Sequence, residues 1–445
     1  MKKLTMLLCL TMALVSLCAL AADADTETAL WPAYDPVTGL WGYIREDGTW
    51  GIEPRYTEAY HFHDGCAIVD MAEHAHADTP TQGIIDETGA FLLDAEYYVF
   101  DFWDAEWDCG PICFVMDDDG GMGWFNIPNR FFSGIHWREC IAWRDTPYVV
   151  VDSFDADSGL ALRETGEIVV PTEYAMTGIY DDVEDGFLVT DRADGEGCEL
   201  IEIGVGVVEL PEGIYVDYVV GVADGMVPYC TEDGTQGYLN TAGEIVIEAQ
   251  YDAGGEFWDG YADVVLMDGT DAIIDRSGNV VFTGHVNYYG MVAGALFVEW
   301  TDGTWGLVET DGTIRCRHAL PEGAYSVWLY EFAEDGPLWV EYSLGDYEYL
   351  WALMSRDGEL LGEPQWSWVS HREGEAWLAV CEDERYGYTD ACGNTVLPFE
   401  WMEAEAFDGA LARVAINECT EAYINREGKV IRQWTFVDGG GQIIE

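Results

Sequence analysis

A seven-residue turn recurs along this chain, and it constrains the fold more than any other feature. It consists of a small residue, two apolar residues, three mostly polar ones and a glycine. The first copy is Gly42-Tyr43-Ile44-Arg45-Glu46-Asp47-Gly48 and the last is Ala422-Tyr423-Ile424-Asn425-Arg426-Glu427-Gly428. The closing position falls at Gly48, Gly89, Asn129, Gly166, Gly206, Gly243, Gly278, Gly312, Gly358, Gly393 and Gly428, with spacings of 34 to 46 residues. Two short apolar runs around a polar pair and a glycine read as a hairpin whose glycine sits at positive φ, closing a G1 bulge. Glycine takes that backbone region without steric cost, and asparagine is among the more tolerant side chains there. Asn129 is therefore expected to share the positive φ of the ten glycines.

Two further signals keep the same phase. Eight residues after the turn comes Tyr56, Tyr97, Trp137, Tyr174, Tyr251, Trp366, Trp401 or Phe436, and otherwise Ile214, Val286 or Leu320. A slot that is always apolar reads as core. Beyond it lies an acid–glycine turn: Asp64-Gly65, Asp185-Gly186, Asp224-Gly225, Asp259-Gly260, Asp335-Gly336, Glu373-Gly374 and Asp408-Gly409. About four short strands thus fill each unit of roughly 38 residues, and such strands bury their faces only against neighbouring units. The fold expected is all-β: eleven tandem hairpin units, propeller-like in one large ring or two, with an open β-superhelix as the alternative.

Residues 1–21 read as a secretory signal, with Lys2-Lys3, an apolar stretch and Ala19-Leu20-Ala21 as cleavage site. The repeat array is then 22–445, with no later segment apolar and long enough to span a bilayer. That mature chain carries 17 basic against 84 acidic residues, a formal charge of −67. Such a surface argues against nucleic acid and anionic membranes, which both require cationic patches. Of ten cysteines in the mature chain, Cys109 and Cys113 are the best candidates for a bridge, and the others read as scattered buried thiols.

The residues Leu40-Trp41-Gly42-Tyr43-Ile44, then Glu53-Pro54-Arg55-Tyr56, Phe62, Asp64-Gly65 and Ala67-Ile68-Val69 resemble the WG-repeat family, also called KWG repeats. The stretches Gly237 to Val264 and Gly387 to Val414 resemble it as well. The resemblance implies an extracytoplasmic or surface β-repeat and carries no catalytic residues with it.

Chemistry is sparse. His61, His63, His74 and His76 form two H-x-H pairs of the right residue type for zinc, but an intervening strand separates them, so no metal or cofactor is expected. Asp117-Asp118-Asp119-Gly120 and Asp155-Ala156-Asp157-Ser158-Gly159 lack the order of a calcium loop. No nucleophile elbow, P-loop or HExxH motif occurs. The repeat slips between Phe100 and Tyr148, where Trp103, Trp107 and Trp143 fall outside the repeat slots and become the candidate ligand-binding residues. The expectation is an exported, non-catalytic scaffold for a protein or a cell-surface glycan. The alternative is a carbohydrate-active enzyme with paired carboxylates.

Overall fold

The structure is a computed structural model that describes residues 29–436, apart from 72–80, 101–111, 143–145, 155–156, 176–185, 192–197, 217–220, 346–347 and 373. The described residues form short antiparallel strands and no helix. They form eight sheets, and within each sheet the strands follow a plain meander in which neighbours in sequence pair.

The two turn families alternate along that meander. In the clearest acid–glycine turns, Asp64-Gly65, Asp224-Gly225 and Asp259-Gly260, both residues have positive φ. That is the two-residue hairpin loop whose twist matches the flanking strands. Ala293-Gly294 makes the same turn without an acid, so the motif is missing from the sequence there while the geometry is kept. The ten glycines of the recurring turn have φ between 69° and 127°.

Asn129 does not share it, which corrects the expectation above: the positive φ belongs to Arg130, at 57°. The turn has moved one residue on, with Arg130 N–H donating to Ile127 O. Asn129 serves through its side chain instead. Its Oδ1 accepts from Asn126 Nδ2 at 2.7 Å and from Phe131 N at 3.1 Å.

Each unit is a thin sheet buried on both faces, so its middle strands read as unbroken apolar runs. In Cys66–Met71, Ala67 and Val69 pack with Tyr43 and Ile52 of the unit before, while Cys66 and Ile68 pack with Cys113 and Val115 of the unit after. At three joints among the described residues the chain runs from one unit to the next as one bent strand, Trp50–Ala59, Phe91–Phe100 and Ile245–Trp258. Trp50–Ala59 pairs first with Leu40–Ile44 of its own unit and then with Cys66–Met71 of the next, with register shifts where it changes partner. The glycine after Trp41 is required at that bend, because a Cβ on Gly42 would lie 2.6 Å from Ile52 O. Gly237 meets Ile247 O at 2.5 Å in the same way.

The tyrosine that follows this glycine ties consecutive units together. The Oη of Tyr43 donates to Tyr60 O at 2.9 Å, that of Tyr238 to Gly255 O at 2.9 Å, and that of Tyr388 to Glu405 O at 2.8 Å. Each bond spans 17 residues and lands on the first strand of the next unit or one residue beyond it. Among the described residues there are eleven apolar clusters, each between two units. One of them joins the two ends of the chain: Trp31, Ala33 and Ile44 pack with Leu411, Tyr423 and Trp434. Trp31 Nε1 donates to Asp408 O at 3.1 Å across the same joint.

The aromatic slot is core at Tyr56, Tyr251, Trp366 and Trp401. Val286 is exposed, contrary to expectation. Its neighbour His285 turns inward and pairs with Asp263 at 2.9 Å. A shift of one residue along a strand exchanges its two faces.

Candidate functional site

Trp103, Trp107 and Trp143 lie outside the described residues, as do His74, His76 and Cys109. In the same segment Trp124 is buried, and its Nε1 donates to Arg163 O at 2.8 Å. His61 is drawn to the last unit, with Nδ1 3.3 Å from Asp408 Oδ2 and Nε2 3.7 Å from Glu405 Oε2. Burial pushes the neighbouring His63 imidazole down to about 4, with Arg372 and His61 adding to the effect. Among the described residues no group of three His, Cys, Asp or Glu could hold a metal ion. No helix of the described residues is long and apolar enough to cross a membrane. Cys113 is buried in the cluster between the second and third units.

The surface with the richest chemistry lies elsewhere, on the first strands of units eight and nine. The ninth unit opens with Ser326-Val327-Trp328-Leu329-Tyr330-Glu331-Phe332, and the strand Ser326–Tyr330 covers most of it. Side chains two apart share a face of a strand, so Trp328, Tyr330 and Phe332 line one side while Val327 turns into the core. Trp328 is 45 % exposed and Tyr330 is 37 % exposed. The row continues into both neighbours. Tyr289 of unit eight meets Trp328 edge-on at 5.5 Å between ring centroids, and Phe332 stacks on His371 of unit ten at 4.7 Å. Tyr330 and Phe332 stack at 5.8 Å between them.

Carboxylates border the row. In unit eight, Glu299 Oε2 accepts from Asn287 Nδ2 at 2.8 Å and from Tyr289 Oη at 2.9 Å. Burial and that carboxylate push the Tyr289 phenol up to about 12. In unit nine, Glu341 lies between two tryptophans. It is the register partner of Trp328 on one side and of Trp351 on the other. Residues directly opposite in a sheet project on the same face, so the three side chains stand in one line. Tyr330 reaches the Trp351 ring at 5.2 Å and donates weakly to Glu341 Oε2 at 3.4 Å. Burial raises the Glu341 carboxyl above its ordinary value. Glu331 is held by Arg356 at 2.6 Å.

Aromatic rings half-open to solvent beside acceptors suit stacking on apolar ring faces, with hydrogen bonds at the edge. On the other face of unit nine, a pocket of about 530 Å³ is lined by Leu320, Pro321, Tyr342, Ala352, Leu360 and Pro364, with Glu363 its one charged side chain.

This row carried a sequence signal: Trp328, Tyr330 and Phe332 repeat with the strand period of two, inside the longest spacing of the series, 46 residues from Gly312 to Gly358.

Comparison with known proteins agrees with the repeat. A family model described as a WG containing repeat matches residues 41–71 and 237–269. No curated protein matches the chain. Among solved structures, one of a eukaryotic initiation factor is 10% identical, with 95% of this chain and 98% of that one covered, at a TM-score of 0.40. BamB from Moraxella catarrhalis is 12% identical over 57% of this chain and 84% of that one, at a TM-score of 0.29. The computationally designed Ika8 protein is 15% identical over 70% of this chain and 96% of that one, at a TM-score of 0.31.

Proposed function

The chain carries WG-containing repeats at residues 41–71 and 237–269, and from that premise we propose that it is an exported, non-catalytic scaffold that binds a glycan. The observation that carries this reading is the open aromatic row Tyr289–Trp328–Tyr330–Phe332, bordered by the carboxylates of Glu299 and Glu341. Stacking aromatics grip the apolar faces of sugar rings, and edge carboxylates accept from hydroxyls. The signal-like residues 1–21 support export.

The scaffold itself is propeller-like and closed into one ring on this reading. An open array of eleven units has ten joints, whereas a ring has eleven. The eleven apolar clusters, with one between the first and last units, support the ring.

Co-sedimentation of the mature chain with insoluble cellulose, chitin and chitosan tests the binding. Retention by at least one polysaccharide is expected, with loss on joint replacement of Trp328 and Tyr330 by Ala. No retention by any of the three, or retention that survives the double substitution, would overturn the reading.

A further inference from the structure

Units eight and nine carry the same constellation with one difference. In unit eight the carboxylate of Glu299 is held by Tyr289 and by the amide of Asn287, two residues earlier on the same strand. In unit nine Tyr330 takes the place of Tyr289, and Glu341 that of Glu299. The residue two before Tyr330 is Trp328, so an indole stands where the amide donor stood. Trp351 walls the other side of Glu341, as Trp305 does for Glu299.

Three consequences follow for Glu341. It has lost a donor at close range. Its hydrogen bond from Tyr330 is long, at 3.4 Å, against 2.9 Å for the matching bond in unit eight. Among the described residues no arginine, lysine or histidine pairs with it, although Glu331 nearby has Arg356 and Glu309 has Arg315. The result is a partly desolvated carboxylate framed by Trp328, Tyr330 and Trp351. A carboxylate among aromatic faces is the chemistry that holds an ammonium group, through charge and through the ring quadrupoles together. Trp328 and Tyr330 remain open to solvent, so a ligand can reach the frame.

We propose that the Trp328–Tyr330–Trp351 frame around Glu341 is an ammonium site, and that its ligand is a hexosamine chain bearing free amines. This deepens the glycan reading and rests on it. The amine completes the hydrogen bonding that Asn287 supplies in unit eight, while the sugar rings lie along Trp328 and Tyr289. The overall charge of the mature chain, with 17 basic against 84 acidic residues, favours a cationic polymer over an anionic one.

The test is calorimetry with a glucosamine tetrasaccharide, an N-acetylglucosamine tetrasaccharide and poly-L-lysine. A salt concentration of about 0.5 M suppresses diffuse attraction to the acidic surface. Wild type is expected to bind the free-amine tetrasaccharide at least about tenfold more tightly than the acetylated one. Glu341→Gln and Trp328→Asn are each expected to remove that preference. Both change solvent-accessible positions, and an unchanged melting temperature verifies the fold. Equal binding of the two tetrasaccharides overturns the ammonium site and leaves the glycan reading standing. A preference untouched by Glu341→Gln also overturns the site. Binding of poly-L-lysine alone, lost in Glu341→Gln, overturns the hexosamine and assigns the frame to protein amines. Binding of none of the three overturns the ammonium site, while the polysaccharide sedimentation decides the glycan reading separately.

Discussion

Units eight and nine share a carboxylate, a tyrosine and a tryptophan wall, yet one set is closed and the other open. Glu299 accepts two short bonds at Oε2, from Asn287 and Tyr289. Glu341 keeps one long bond and gains an aromatic face. One exchange on an exposed strand position therefore converts a structural network into a surface with capacity to spare. The repeat makes this possible: the backbone is held by turns and two-sided cores, so side chains on the open strand can vary without disturbing it.

The largest way to break the comparison is at the shared wall. Trp305 is fully buried behind Glu299, and Trp305→Ala is expected to cost about 3–5 kcal/mol in chemical denaturation. Trp351→Ala should cost somewhat less, because Trp351 keeps 6 % exposure where Trp305 keeps none. Equal losses would mean that the two walls are equivalent. A smaller effect is expected for Asn287→Leu, about 0.5–1.5 kcal/mol, since Glu299 loses a donor at 2.8 Å. Asn287→Trp sharpens the test further, because it builds the unit-nine frame in unit eight. Calorimetry should then show a second binding event for the free-amine tetrasaccharide, and an unchanged stoichiometry would count against the frame as the determinant. Of similar size, Tyr289→Phe should cost about 1 kcal/mol, through loss of its 2.9 Å bond to Glu299.

The smallest effect is electrostatic. Burial raises the folded-state carboxyl of Glu341, so the folded chain holds that proton more readily than the unfolded chain. The group then costs stability above its folded value and relieves that cost as pH falls through it. Glu341→Gln should stabilise the protein slightly at neutral pH, and the gain should vanish in acid below the ordinary carboxylate range. A gain that persists there would point to packing instead of charge. His63 acts in the opposite direction: burial holds its imidazole at about 4, so stability declines as pH falls from about 6.5 towards 4.

Much of this architecture was legible residue by residue. The recurring glycine, the Asp-Gly hairpins and the Trp-Gly pair each have a local cause in φ or in close backbone approach, and local causes leave marks in sequence. Asn129 was misread because two local roles compete for asparagine, positive φ and a side-chain acceptor, and the turn there slid one residue to Arg130. Val286 was misread for a related reason: spacing counts residues but does not detect a slip, and His285 took the inward face. The Trp328-Tyr330-Phe332 alternation is visible in the sequence, yet a period of two marks a strand without telling its exposed face from its buried one.

By itself the sequence determined that this chain folds as short β-hairpins stacked in about eleven units, because turn chemistry and two-sided apolar strands act over a few residues at a time. Tertiary structure alone decided that Trp31 and Ile44 meet Leu411 and Trp434, and that Glu341 stands between Trp328 and Trp351. Those contacts join positions whose separation along the chain carries no periodic signal. They depend on how each strand's register and each joint's bend place one sheet against the next.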